Sequence, residues 1–434
     1  MTDPTGKVFL SYKHKQADTA DLLEDALWDH GVPVWRDQSD QPSEPLESGL
    51  EHIIEDKQQI AGGIGLISEN VAVSDVILDV ELPRFRERWE ADDTFFVVII
   101  RCPDLGVSAA KAILSKSTSL HDFSSWYMEQ LDETTPEAGA EVADFVLQQR
   151  LAKLDGALDD GQPITCSLDT YEEPAYKPRP ALRIDWSQHF NLGPPSREVW
   201  NQRLVPSLTT VTDRIRSEAT GRPIRFRGHS HLPASFALGR CLQATRNVEA
   251  TWLQADQVGN TQAWSLDKDT ENSGISADFT RKTASESDLA VLVSISDNVR
   301  PKVANTVSNL SEFRGVLEFT PNDGPDVKLT PDQAGHAASV FRTEIRETVN
   351  KIAPVSKIHL FMAVPTGLAF LFGQQTNTFP PIQTYLLPDG ANKYRQAALL
   401  FDTQSNGDPS ERSKQGSTLT HRIKETITNW LSLS

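Results

Sequence analysis

Over residues 7 to about 150, short apolar runs alternate with stretches whose apolar residues recur every three or four positions. The first pattern is that of a strand buried on both faces, the second that of a helix with one buried stripe. Val8 to Ser11 reads as the first strand. Ala20, Leu23, Ala26 and Leu27 form the stripe of a helix that Asp18 or Thr19 caps and that Gly31 ends near His30. Val32 to Trp35 is a second strand, and Pro33, which has no N–H to give a neighbour, places it near a sheet edge. Asp37 to Ser48 is a polar loop, and Gly49 precedes a helix carrying Leu50, Ile53 and Ile54. Ile60 to Ile67 is a third strand interrupted by glycines, closed by Ser68, Glu69 and Asn70. A helix containing Glu81 follows and is stopped or kinked around Pro83. Phe95 to Ile100 is a fourth, fully buried strand, and Ala140 to Leu154 is a closing helix. Strands and helices in this alternation make a parallel sheet flanked by helices.

Residues 155–180 read as a linker, acidic and glycine-containing at first and then holding Pro174, Pro178 and Pro180. Beyond it the pattern repeats. Pro223 to Leu242 and Lys357 to Gln374 each read as a strand, a short loop and an apolar helix. Aligned on Pro233 and Pro365, Leu232 matches Val364, Phe236 matches Leu368 and Ala237 matches Ala369. A second strand follows in each copy, Val248 to Leu253 and Ile382 to Leu387, and Leu289 to Ser294 is a further strand. Two such half-domains place their strand-end loops around one cleft, with the helix N-termini after Pro233 and Pro365 aimed at it.

At 434 residues the chain exceeds one ordinary core, so two or three domains are expected. A hydrophobic share of 38% and a charged share of 24% describe a soluble globular protein. No apolar run reaches the length of a membrane span, and Met1 to Gly6 lacks the pattern of a secretory signal. Cys102, Cys166 and Cys241 are too far apart for a disulfide framework or a metal site and fit a reducing cytoplasm. The net charge of −18 excludes a long nucleic-acid duplex as a general partner, but not a small anion in a local basic pocket.

Lys13 and His14, at the end of the first strand, stand where open parallel sheets bind ligands and where a diphosphate or ribose can be met. Trp35 is a candidate to stack a ring. The alternatives are a core position for Trp35, plain surface positions for Lys13 and His14, and a solvated helix position for Glu81.

Val8-Phe9-Leu10-Ser11-Tyr12, the connecting loop from Asp37 to Gly49, Leu66-Ile67-Ser68-Glu69-Asn70 and Ser74 to Leu82 together resemble the boxes of a Toll/interleukin-1 receptor (TIR) domain, in order and spacing. The resemblance covers about a third of the chain, residues 1–154, and implies a flavodoxin-like parallel sheet. It further implies NAD+ cleavage, with Glu81 as the catalytic carboxylate and Ser11, Lys13, His14, Trp35, Asp37, Ser68 and Ser74 around the substrate. The bond between nicotinamide and ribose breaks with a leaving group that departs neutral. The demand is therefore for one carboxylate beside the oxocarbenium-like ribose, with no metal and no further cofactor. The sequence departs from that family at Ile77, where an aromatic residue is usual, and at Lys15 and Gln16.

The second half resembles a SAVED domain, two fused CARF-like (Rossmann-like) halves that sense cyclic oligonucleotides. The carrying residues are His359 to Ala369, then Pro380-Pro381-Ile382-Gln383 and Tyr385. The resemblance sets this domain at residues 181–434, with halves at about 181–330 and 331–434. It implies a cyclic di- or trinucleotide, cyclic triadenylate first. The contacts would be Arg227, His229 and His231 in one half, Pro365, Thr366 and Gly367 in the other, and Lys302, Lys393, Tyr394 and Arg395 toward phosphate or base.

The two resemblances together imply an effector of cyclic-oligonucleotide-based antiphage signalling (CBASS). It would be an NAD+ hydrolase, idle until a cyclic nucleotide drives head-to-tail assembly into oligomers or filaments. A non-catalytic TIR scaffold is the alternative, supported by Ile77. A second is cleavage of another nucleotide or formation of a cyclised ADP-ribose.

Overall fold

The computed structural model of the chain describes residues 1–36, 46–117, 125–172, 176–243, 249–255, 260–267, 271–282, 287–307 and 312–401, with Leu120 and Phe123. Strands β1 (Lys7–Ser11), β2 (Val34–Trp35), β3 (Ile60–Ile67), β4 (Phe96–Arg101) and β5 (Tyr127–Gln130) form an all-parallel sheet in the order β2-β1-β3-β4-β5. The strand order reverses direction between β1 and β3. The carboxyl ends at such a reversal are the usual ligand position in open parallel sheets. The helices are α1 (Ala17–Asp29), α2 (Leu46–Glu55), α3 (Leu82–Ala91), α4 (Val107–Leu114) and α5 (Pro136–Ala157). One face of the sheet joins a core with α1 and α5, through Leu23, Leu27, Val142 and Leu147. The other face packs Phe9, Ile67 and Ile99 against Ile77, Leu82 and Phe85. Gly63 makes room for α3, since a Cβ there would lie 2.6 Å from the Phe85 ring.

The structure corrects several boundaries. Helix α1 begins before Asp18 and Thr19, after a 3-10 turn at His14–Gln16, with Gln16 at its cap and no side-chain cap bond. Helix α2 begins at Leu46, before Gly49. Pro83 does not end its helix. Residues Val76–Glu81 form a π-turn that runs into α3, with Pro83 in the first turn of the latter. Proline supplies no N–H to the turn before it, and a widened turn accommodates the missing bond. The same device recurs at Trp200–Leu204, a π-turn ahead of Pro206.

Residues 155–180 are not a linker. They contain β6 (Ile164–Asp169), an inner strand of a second sheet formed with β7 (Leu182–Asp185), β8 (Ile224–Arg227), β9 (Ala250–Ala255) and β10 (Thr261–Trp264). The order is β10-β9-β8-β6-β7, parallel except for β10 against β9. Ile164, Cys166 and Leu168 are fully buried, so alternation and not composition decides the segment.

The third sheet holds β11 (Ile275–Arg281), β12 (Leu289–Ser294), β13 (Gly315–Pro321), β14 (Ile358–Ala363), β15 (Ile382–Leu386) and β16 (Arg395–Leu400), in the order β11-β13-β12-β14-β15-β16. Its inner strands are parallel, and β11 and β16 are antiparallel to their neighbours. Strands β12 to β16 thus repeat the topology of β6 to β10. The halves therefore divide between β10 and β11, not near residue 330. Residues 402–434 lie outside the described residues.

The helices of this region are α6 (Ser187–Phe190), α7 (Arg197–Val199), α8 (Val205–Glu218), α9 (Leu232–Cys241), α10 (Arg300–Thr306), α11 (Pro331–Ile352) and α12 (Thr366–Gln374). Helices α9 and α12 cross at the junction of the halves. A Cβ on Gly239 would sit 2.0 Å from the Phe370 carbonyl oxygen, and one on Gly373 would sit 2.1 Å from that of Phe236. Only glycine permits so close a backbone approach. The true repeat is therefore Phe-x-x-Gly, with Phe236 equivalent to Phe370 and Gly239 to Gly373. On this register the cap residue His231 matches Pro365, and Ile224 matches Ile358. Pro233 lies inside α9 while Pro365 caps α12, so an alignment on the prolines is two residues out of register.

The first sheet is fixed to the second rather than tethered to it. One buried cluster runs from Leu27 and Val146 through Leu182, Leu208 and Val211. Arg150, 1% exposed, donates to Gly6 O at 2.8 Å and to Ala181 O at 2.9 and 3.1 Å. Asp29, at the end of α1, accepts from Arg203 Nε at 2.6 Å and His189 Nε2 at 2.8 Å.

Candidate functional site

At the carboxyl ends of β1 and β3, and in the segment that follows β3, stand one buried carboxylate and three buried hydroxyls. Glu81 closes the π-turn and is 7% exposed; Ser11 Oγ, at the last residue of β1, donates to its Oε2. The hydroxyl therefore fixes one carboxylate oxygen at the switch point of the sheet. Ser74 is buried at the start of the same turn, and its Oγ accepts from Lys13 Nζ at 3.4 Å. Ser68, at the end of β3, buries a hydroxyl that has no partner among the described residues. Lys13 is half-buried over this group, and His14 is exposed with its ring edge-on to Tyr12 at 6.1 Å.

Trp35 is not an open platform. It stacks on Phe9 at 4.5 Å and 22° and belongs to the same buried cluster as Ile77, so an aromatic is supplied to this core from β2. Asp37 lies outside the described residues. Arg36, which carried no signal in the sequence, is 3% exposed and donates to Asp21 at 2.5 Å, Glu24 at 2.8 Å and Tyr12 at 3.3 Å. It ties the end of β2 to α1.

A second group lies at the carboxyl ends of β6 and β8. Four rings from three parts of the chain form one column: Phe190, His231, Tyr171 and His229. Successive pairs are 4.5, 4.2 and 4.6 Å apart, with interplanar angles of 9°, 16° and 25°. The inner end rests on buried Trp200, edge-on to Phe190 at 5.8 Å; the outer end, His229, is exposed. Thr170 Oγ1 accepts the His231 backbone N–H at 2.8 Å and lies 2.7 Å from His231 Nδ1. Burial pushes His231 down to about 4, so the ring is neutral, Thr170 donates to Nδ1, and Nε2 carries the proton. Asp169, fully buried, accepts from Tyr176 at 2.7 Å and from the His229 N–H at 3.1 Å. Arg227 lies 4.2 Å over the Tyr176 ring and donates to Pro178 O.

The other candidates divide. The Gly367 N–H, in the first turn of α12, donates to Gln254 Oε1 at 2.9 Å. A Cβ on Gly367 would lie 2.7 Å from Trp252, so this glycine serves packing between the halves. Pro365 and Thr366 stand half-buried beside it. Lys302 pairs with Asp297 at 2.6 Å. Lys393 and Arg395 are exposed, whereas Tyr394 between them points inward, edge-on to Phe361 at 5.3 Å. Burial leaves Tyr394 6% exposed and drives its hydroxyl well above the usual tyrosine range. Phe361 and Tyr385 stack beside it at 4.1 Å.

A cavity of about 450 Å³ lies away from both edges, where α1, α5 and α8 meet, lined by Asp29, His30, Glu141, Asp144 and Arg203 among others. Burial pushes the Cys102 thiol up to about 11, against nucleophilic use. Among the described residues no cluster is built to hold a metal ion, and no helix is long and apolar enough to cross a membrane.

Residues 208–400 match the family model of SAVED, the "SMODS-associated and fused to various effectors sensor domain". No curated protein matches the chain. Among solved structures, the chain is similar to the Cap4 SAVED/CARF-domain containing receptor of Acinetobacter baumannii with the cyclic trinucleotide 2′3′3′-cAAA. The identity is 14% over 88% of this chain and 97% of that one, with a TM-score of 0.46. The same receptor with 3′3′3′-cAAA gives 14%, 88%, 97% and 0.47. The Cap4 SAVED/CARF-domain containing receptor of Moraxella osloensis gives 16% identity over 89% and 98% of the two chains, with a TM-score of 0.41.

Proposed function

We propose that the chain is an NAD+ hydrolase of antiphage defence, switched on by a cyclic oligonucleotide. The observation that carries the catalytic half is the Ser11–Glu81 pair, a carboxylate held at the switch point of an all-parallel sheet. The order β2-β1-β3-β4-β5 is that of flavodoxin-like sheets, which supports the TIR reading. The sensor half rests on the SAVED match over residues 208–400 and on the duplicated sheets within it.

NAD+ binds with its nicotinamide ribose against Glu81. As the glycosidic bond lengthens, positive charge grows on the ribose, and the fixed carboxylate stabilises it without having to reorganise. Ser11 keeps that carboxylate in one orientation, and Lys13 meets the diphosphate. Nicotinamide leaves with the bonding pair; water then attacks the ribosyl carbon and releases a proton to give ADP-ribose, or an adenine nitrogen of the same molecule attacks instead of water and gives the cyclised form.

Glu81 is only 7% exposed in the single chain, which supports a site that is completed on activation. Cyclic-nucleotide binding, cyclic triadenylate first, drives head-to-tail association through the sensor domains, and a neighbouring copy completes the site. A non-closing contact of that type builds filaments. The setting is the bacterial cytoplasm.

The test is nicotinamide release from NAD+ by the purified chain, alone and with a panel of cyclic di- and trinucleotides, with electron microscopy of the same samples. Release and assembly triggered by one member supports the reading. Assembly without release supports the scaffold reading that Ile77 favours, and neither event defeats both.

A further inference from the structure

The ring column is more than a packing solution. Three of its four members are fixed from several sides: Phe190 by Trp200, His231 by Thr170, and Tyr171 between two imidazoles. The fourth, His229, is exposed, yet its backbone N–H is tied to the buried carboxylate of Asp169 and its carbonyl accepts from Thr170 N at 3.0 Å. A flat ring is thus presented at a fixed angle at the carboxyl edge of a parallel sheet. It stands in the loop that leads from β8 into α9 and lies within the segment that matches the sensor family.

A column of near-parallel rings about 4.5 Å apart is continued most naturally by one more planar aromatic ring. The planar aromatic part of a cyclic oligonucleotide is its base, and a purine offers the larger face. We infer that His229 is a stacking platform for one adenine of the activator, backed by Tyr171, His231 and Phe190. This rests on the sensor reading above and assigns it a specific contact. Arg227, the last residue of β8 and held over the Tyr176 ring, stands two positions before the platform. Stacking on aromatic side chains contributes substantially per base and needs no hydrogen-bond readout.

The experiment is equilibrium binding of cyclic triadenylate, and of the same ring with 2-aminopurine in place of adenine, to wild type, His229→Ala and His229→Phe. Circular dichroism controls for fold. Stacking predicts that His229→Ala weakens binding by about ten- to a hundred-fold, while His229→Phe stays within about threefold of wild type. It also predicts 2-aminopurine quenching at saturation in wild type and His229→Phe but not in His229→Ala. Free NAD+ and AMP, which carry adenine without the ring, should not compete at comparable concentrations. Wild-type affinity in His229→Ala, or equal losses in Ala and Phe variants, overturns the platform while leaving the sensor reading intact. A wild type that binds no cyclic nucleotide overturns both.

Discussion

Asp29 and Arg203 form an ion pair at 2.6 Å across 174 positions of sequence, joining the end of α1 to the π-turn ahead of α8. The same carboxylate accepts from His189, the neighbour of Phe190 at the foot of the ring column. One buried group therefore stands between the foot of the ring column and the helix that follows the Ser11 loop.

Asp29→Asn keeps the shape but puts a neutral amide where a carboxylate accepts from both Arg203 and His189. We expect it to cost about 2–3 kcal/mol of stability, read by denaturant unfolding. Cyclic-nucleotide affinity should stay within about threefold, because the ligand edge is untouched. Stimulation of NAD+ cleavage should be lost. Retained stimulation at wild-type affinity would show that coupling takes another route.

The crossing of α9 and α12 depends on two hydrogens. Gly239→Ala and Gly373→Ala each place a methyl on an opposing carbonyl, at 2.0 and 2.1 Å. Each should destabilise by about 3 kcal/mol or more, since neither backbone can retreat without opening the junction. Gly156→Ala, helical and with nothing within 4 Å, is the control. It should raise stability by about 0.5–1 kcal/mol. Similar melting temperatures for the Gly239 and Gly156 variants would contradict this packing.

Arg150 is the buried cation at the seam. Burial pulls it down to about 9, and its donors satisfy Gly6 O and Ala181 O. Arg150→Met fills similar volume but leaves both carbonyls unpaired. The expected loss is about 2–4 kcal/mol in urea unfolding. A neutral Arg150→Met would mean that water replaces the guanidinium.

Much of the first sheet was legible because its strands are unbroken apolar runs: Ile60 to Ile67 could not be surface. Glu81 and Ser11 were legible as strand-end and helix-start residues, though not as a bonded pair. Pro83 misled, because proline usually stops a helix and the π-turn is invisible in periodicity. Residues 155–180 misled by composition, although Ile164, Cys166 and Leu168 already alternate. Lys393 and Arg395 made Tyr394 look exposed, while its neighbours on the strand edge simply point the other way. The Asp29–Arg203 and Arg150 contacts have no local signature, since their partners meet only after the sheets are placed. The repeated Phe-x-x-Gly was in the sequence throughout, hidden by the more conspicuous prolines.

Acid should weaken the fold in a defined window. His231 is pushed down to about 4 and His30 is pushed down as well, in both cases first by burial. Unfolded histidines titrate near 6.5. As pH falls below that value the unfolded chain binds protons that the folded chain refuses. The stability contribution of these groups is therefore complete above about pH 6.5 and is lost as pH falls toward about 4. Thermal melts across that range should show the decline, and His231→Phe, which keeps a ring between Tyr171 and Phe190, should flatten it. Parallel curves for the two proteins would contradict the neutral His231.

The most direct test of the account is nicotinamide release by wild type and Glu81→Gln, each with saturating activating cyclic nucleotide and without it. Glu81→Gln keeps the hydrogen bond to Ser11 within reach and removes only the charge that stabilises the ribosyl cation. The account predicts release by wild type only with the cyclic nucleotide, and a loss of about a hundred-fold or more in Glu81→Gln at unchanged ligand affinity. Equal release by the two proteins, or release by wild type that ignores the cyclic nucleotide, would contradict it.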